Sequence, residues 1–152
     1  MEFLTINGRQ YPLEEQDYEM SLLQWLREKL DLTGTKCGCN VGQCGSCNVI
    51  MDGKIRRSCV VKCGKAIGSS ITTIEGLARD GKLHPVQESF LVCGVMQCGY
   101  CTPAQVLTVV ALLEQNPTPS RADIDRAFKG TLCRCATYPR VLKAIERAGA
   151  IL

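Results

Sequence analysis

Cys39, Cys44 after four intervening residues, Cys47 after two more and Cys59 after a further eleven pose the first chemical question. C-x4-C-x2-C followed by a distant fourth cysteine is the spacing that holds a 2Fe–2S cluster by four thiolates. The loop must bend back on itself so that three sulfurs face one small rhomb. Gly38, Gly42 and Gly45 suit that task, because glycine accepts positive φ and lets backbone approach closely. The amide N–H groups of such a loop can point at sulfur and stabilise its negative charge. Zinc is the competing ion, but its four-cysteine sites usually pair short C-x2-C knuckles. Cys37 lies two residues before Cys39, and Cys63 four after Cys59. A quartet through Cys37 has a six-residue gap and loses the signature. Both are read as small, semi-buried residues lining the site.

A second set, Cys98-x2-Cys101 and Cys133-x-Cys135, places two pairs of thiols at two expected helix junctions. Two pairs from two junctions suit a rhomb held by a helix bundle. Cys101 immediately precedes the expected cap of a central helix. The positive end of that helix and its free N–H groups should therefore face an anionic cluster and favour its reduced state. Cys93 also stands in C-x4-C-x2-C relation to Cys98 and Cys101, so spacing alone admits it. It follows Phe90, Leu91 and Val92 at the end of an apolar helix, where a buried cysteine is the plain expectation. Five candidates compete for four positions, and Cys93 is set aside. His84 is the only histidine, which excludes a Rieske centre with its two histidines. Before Pro85, it is expected as a surface residue at a helix start. Arg134, between two ligand cysteines, either tunes the cluster by its charge or anchors the loop.

The elements that position these residues fall into two halves. Phe3–Asn7 and Arg9–Leu13 flank the hairpin signal Asn7-Gly8. Ser21–Leu30 carries Leu22, Leu23, Leu26 and Leu30 at helical spacing, with Trp25 as packing. Asn48–Met51 and Lys54–Arg57 flank Asp52-Gly53, a two-residue turn that returns Cys59 to the glycine-rich loop. Ser70–Ile74 is a last short strand. Strands around one helix suggest a β-grasp sheet, the shape of plant-type ferredoxins. The second half reads as four helices: Pro85–Cys93, Val106–Gln115, one capped by Ser120 and closed by Gly130, and Pro139–Gly149. Thr102-Pro103-Ala104-Gln105 has the form of a capping box, and the helix after it is apolar nearly all round, so it should be buried. The expected fold class is α+β, a β-grasp 2Fe–2S domain over residues 1–76 followed by an all-α four-helix 2Fe–2S domain over 77–152. The linker falls near Gly76–Leu83.

Composition narrows the classes. The chain has 152 residues, 45% of them hydrophobic and only 5% aromatic, enough for aliphatic cores. No run of eighteen apolar residues predicts a membrane span. The chain opens directly on strand-like Phe3-Leu4-Thr5-Ile6, so no leader is expected and the expected location is cytoplasmic. A disulfide framework fits poorly with eleven cysteines, an odd number, and no secretory signal. The formal charge of +3 counts those cysteines as neutral. Two clusters at about −2 each bring it to about −1. With lysine and arginine scattered along the chain, no case for nucleic acid survives. Glu14-Glu15, Asp123 and Asp125 read as solvated charges.

Thr35-Lys36-Cys37-Gly38-Cys39, Gly42-Gln43-Cys44-Gly45-Ser46-Cys47, Gln97-Cys98-Gly99-Tyr100-Cys101-Thr102-Pro103 and Leu132-Cys133-Arg134-Cys135 together resemble the iron–sulfur subunit of molybdenum hydroxylases, the xanthine dehydrogenase and aldehyde oxidoreductase family. The resemblance spans nearly the whole chain. It implies two 2Fe–2S clusters, with the helical-domain cluster nearer a molybdopterin cofactor, in a dinucleotide form, held by a large partner subunit. It implies that Gln97 hydrogen-bonds the pterin and that Cys135 sits where cluster and pterin meet. Electrons then leave one at a time through the first cluster, to a flavin subunit carrying FAD or to an external acceptor. The substrate chemistry belongs to the large subunit, and this chain carries no catalytic residue. Ala136-Thr137-Tyr138-Pro139 departs from the commoner Thr-Gly-Tyr of the family and is similar to the branch that oxidises isoquinoline-type heterocycles. Two other readings stand beside this one. A freestanding ferredoxin leaves the second half without a task. A redox or iron sensor would use Cys37, Cys63 and Cys93 as spare thiols, but no DNA-binding helix or basic patch accompanies them.

Overall fold

The computed structural model describes residues 1–152 as a mixed α+β fold with one five-stranded sheet and five α-helices. Strands β1 (Glu2–Ile6) and β2 (Arg9–Leu13) form the first hairpin. Asn7 and Gly8 turn it with φ of 51° and 79°, the double positive φ that gives the turn the same twist as its strands. Helix α1 (Leu22–Glu28) starts at Ser21, whose hydroxyl accepts the Gln24 N–H at 3.2 Å. It stops two residues short of the expected Leu30, because Asp31 takes φ 54° and the Leu32 N–H closes onto the Leu26 carbonyl at 2.9 Å. Strands β3 (Asn48–Met51) and β4 (Lys54–Arg57) are joined by Asp52-Gly53, and β5 (Ser70–Thr72) ends the sheet's chain segments. The strand order is β2-β1-β5-β3-β4, with β5 parallel to β1 and antiparallel to β3.

Side chains alternate across a strand, and β3 uses both faces. Val49 enters a core with Leu4, Ile6, Leu22, Trp25, Leu26 and Ile71. Ile50, pointing the other way, enters a helical core with Val86, Phe90, Leu107, Val110 and Ile145. Trp25 is 2% exposed and meets the Tyr11 ring edge-on, the packing role expected of it.

Helices α2 (Pro85–Val92), α3 (Thr102–Gln115), α4 (Arg121–Ala127) and α5 (Tyr138–Gly149) complete the chain. Helix α3 is buried along most of its length, as its apolar sequence requires, and packs against β3 as well as α2 and α4. Three expectations at helix starts are corrected. The capping box at Thr102 does not form: the helix begins one residue earlier, Thr102 is its first residue and Cys101 is its cap, without a side-chain hydrogen bond. Genuine capping boxes occur at His84 with Gln87 and at Ser120 with Asp123. His84 is thus half-buried rather than on the surface; its Nδ1 accepts the Val86 N–H at 3.2 Å, and burial lowers its pKa. Asp123 is a cap acceptor, not a free surface charge.

Candidate metal centres

The first loop is built around sulfur. The N–H groups of Gln43, Cys44 and Val41 donate to Cys39 Sγ at 3.2, 3.3 and 3.5 Å. The Cys39 N–H donates in turn to Cys44 Sγ at 3.3 Å. Led by the bond from Cys44, these amides lower the Cys39 thiol to about 6. Gly38 has an ordinary negative φ, contrary to expectation; what it supplies is room, since a Cβ there would lie 2.5 Å from Cys44 Sγ. Cys47 and Cys59 are buried beside Leu23. Cys59 follows β4 on a short 3-10 turn, Ser58–Val60, where the hairpin was expected to deliver it. Burial, and then its hydrogen bond to Cys47, pushes its thiol up to about 11.

The second set assembles at the two helix junctions. Cys98 and Cys101 lie between α2 and α3, and Cys133 and Cys135 between α4 and α5. Burial, followed by a hydrogen bond to Cys133 and the nearby charges of Cys133 and Cys98, pushes the Cys101 thiol up to about 12. Burial also opposes ionisation of Cys133, but hydrogen bonds outweigh it and hold the thiol below its ordinary value: Thr137 first, at 3.3 Å from its hydroxyl, then Cys101 and the Cys135 N–H. Tyr138 fixes this loop by accepting the Cys133 N–H at 2.7 Å. Gln97 is exposed, and its Nε2 donates to the carbonyl of half-buried Cys135 at 3.3 Å, so the two residues expected to meet a pterin are neighbours.

All eleven cysteines are free thiols. Cys37 and Cys63 depart from the expected semi-buried lining: Cys37 is exposed and Cys63 is wholly buried in the sheet core. Cys93, expected to be buried, caps α2 half-buried against the helical core. Burial pushes Cys63 up to about 12, which makes it inert. Arg134 is exposed and makes no hydrogen bond or ion pair, so nothing supports it as a loop anchor.

The donor sets fit thiolate-held iron. Soft sulfur ligands, N–H groups aimed at sulfur and a glycine cradle are supplied together, and two thiols pushed up to about 11 and about 12 need a cation to ionise them. The sulfurs approach in twos, Cys39 with Cys44, Cys47 with Cys59 and Cys101 with Cys133.

The two sets are held against each other, which the sequence did not indicate. The Leu132 N–H donates to the Cys44 carbonyl at 2.9 Å. Gly45, at φ 77°, lets the first loop close on the second half: a Cβ there would lie 2.4 Å from the Gly130 carbonyl oxygen. Asn48, buried, donates from Nδ2 to the hydroxyls of Thr108 and Thr131 at 3.2 Å each, and its Oδ1 accepts from Arg57. Arg57 also donates to the Gly130 carbonyl at 3.0 Å. The Tyr100 hydroxyl donates to the Cys37 carbonyl.

Residues 4–83 match the family described as 2Fe-2S iron-sulfur cluster binding domain, and residues 73–146 the family described as 2Fe-2S binding domain. The nicotinate dehydrogenase small FeS subunit of Eubacterium barkeri is 46% identical over 84% of this chain and 81% of its own length. The isoquinoline 1-oxidoreductase subunit alpha of Brevundimonas diminuta is 43% identical over 97% of this chain and 96% of its own. The crystal structure of quinoline 2-oxidoreductase from Pseudomonas putida 86 superposes with a TM-score of 0.88 at 41% identity, covering 98% of this chain and 92% of that one. Aldehyde oxidoreductase from Desulfovibrio gigas superposes at 0.92 and 41% identity over 99% of this chain, which spans 17% of that larger protein.

Proposed function

Since the chain belongs to the family of 2Fe-2S iron–sulfur subunits of molybdenum hydroxylases, we propose that it relays electrons singly from a molybdopterin site on a large partner subunit to a flavin subunit carrying FAD or to an external acceptor. In this reading Cys39, Cys44, Cys47 and Cys59 hold one cluster in a β-grasp domain over residues 1–76. Cys98, Cys101, Cys133 and Cys135 hold the other in a four-helix domain over residues 77–152. Gln97 and Cys135 face the pterin of the partner. The clusters, when bound, supply one-electron carriers; the chain's own residues keep them close together and set the charge around them. No helix is long and apolar enough to cross a membrane, and a cytoplasmic location is part of the proposal.

One observation carries this reading. The hydrogen bond from the Leu132 N–H to the Cys44 carbonyl, 2.9 Å long, links a residue of the first quartet to the neighbour of Cys133 in the second. From Cys44 Sγ the route runs through the Cys44 carbonyl, across that single hydrogen bond, and along the backbone of Leu132 to the Cys133 side chain. A carrier with two independent sites has no need of it.

Co-purification tests the assignment. A tagged copy expressed in its native host should bring down a large, molybdenum-containing chain in fixed proportion. Elution alone, iron-loaded and without molybdenum, would point to the freestanding ferredoxin.

A further inference from the structure

Gln105 is completely buried, and neither its Oε1 nor its Nε2 has a hydrogen-bond partner. An amide that loses water and gains nothing is costly, so an orphan of this kind calls for an explanation. Its place on α3 supplies one. Residues three and four apart share a helix face, which puts Cys101, Gln105 and Thr108 in one row. Both neighbours in that row face the segment that carries Cys133. The Cys101 thiol hydrogen-bonds to Cys133, and Thr108 shares the Asn48 amide with Thr131. Long side chains on a helix lean toward its N-terminus. By that rule the Gln105 side chain covers the turn before it, the one that Cys101 begins.

We propose that the Gln105 Nε2 donates a hydrogen bond to a sulfur of the second cluster and thereby raises its reduction potential. This rests on the reading of Cys98, Cys101, Cys133 and Cys135 as that cluster's ligands. A hydrogen bond to sulfur favours the state with more negative charge, which is the reduced one. In a dry site such a bond is stronger than in water. Gln105 is a positioning residue for charge, not a ligand.

The test is an EPR-monitored redox titration of the purified complex, comparing native protein with Gln105→Met, which keeps length and approximate volume but has no N–H. The second cluster's midpoint should fall by about 59 mV, roughly a tenfold loss in its reduced-to-oxidised ratio at fixed potential. The first cluster's midpoint should stay in place. An unmoved second midpoint, whatever happens to the melting temperature, overturns the proposal, because a purely structural amide changes folding alone. If the Met protein does not assemble the second cluster, pulsed EPR of the Gln97→Ala protein labelled with 15N in its glutamine amides decides instead. Coupling of an amide nitrogen to the second cluster is expected, and its absence overturns the proposal. A native protein with only one cluster signal would refute the two-quartet reading itself, a distinguishable failure.

Discussion

Replacing Gly45 by alanine tests how closely the two cysteine sets are joined. The new Cβ would lie 2.4 Å from the Gly130 carbonyl oxygen and 3.0 Å from Thr131 Cα, both backbone atoms that cannot swing aside. Holding alanine at φ 77° costs about 1–2 kcal/mol. Forcing residues 130–133 away adds about 1–3 kcal/mol of overpacking, and losing the Leu132–Cys44 hydrogen bond about 1 kcal/mol. The sum is about 3–6 kcal/mol, a large share of the roughly 5–15 kcal/mol that holds a domain folded. Gly53→Ala is the control: its φ is 74°, yet a Cβ there meets nothing within 4 Å. Only the backbone cost of about 1–2 kcal/mol applies. Thermal unfolding of the iron-loaded proteins, followed by circular dichroism, should place Gly45→Ala roughly 5–15 °C below Gly53→Ala. The magnetic coupling between the two reduced clusters should weaken in the first variant alone. Equal melting points and unchanged coupling would show that the close approach of Gly45 to Gly130 has no energetic weight.

Cys39→Ser should lose one cluster and keep the other, leaving about two irons of four; loss of both signals in EPR would argue against separate quartets. Cys63→Ala should keep full iron content at a stability cost of about 1 kcal/mol, the loss of one buried heavy atom, and Cys93→Ala, at a half-buried site, should keep it at a smaller cost. A drop in iron content in either would reassign the ligands. Gln97→Ala should slow reduction of the clusters by substrate in stopped-flow traces while both remain assembled, and an unchanged rate would remove the pterin contact.

Local chemistry was largely legible in the sequence. Asn7-Gly8 and Asp52-Gly53 carry the positive φ angles of their turns, and the apolar surface of Val106–Leu113 marks the buried helix. Both cysteine sets lie at the loops and junctions that their spacing suggested. What joins the halves was not legible. Asn48 reaches Thr108 and Thr131 across separations of 60 and 83 residues, and no local pattern encodes such a partner. Gln105 was hidden for a different reason: a glutamine three residues after Thr102 has the form of a capping box, whereas Thr102 is already helical and Gln105 is buried. The spare cysteines show the same limit. Spacing argues against Cys37 as a ligand but admits Cys93, and burial depends on the whole fold, which exposes Cys37 and encloses Cys63.

The central claim is that four thiolates in each set hold two irons. Iron, acid-labile sulfide and zinc measured on protein prepared without oxygen, together with EPR after dithionite reduction, test it most directly. About four irons and four sulfides per chain, with two distinguishable signals, are predicted. A colourless preparation containing zinc, or a single signal with about two irons, would contradict it.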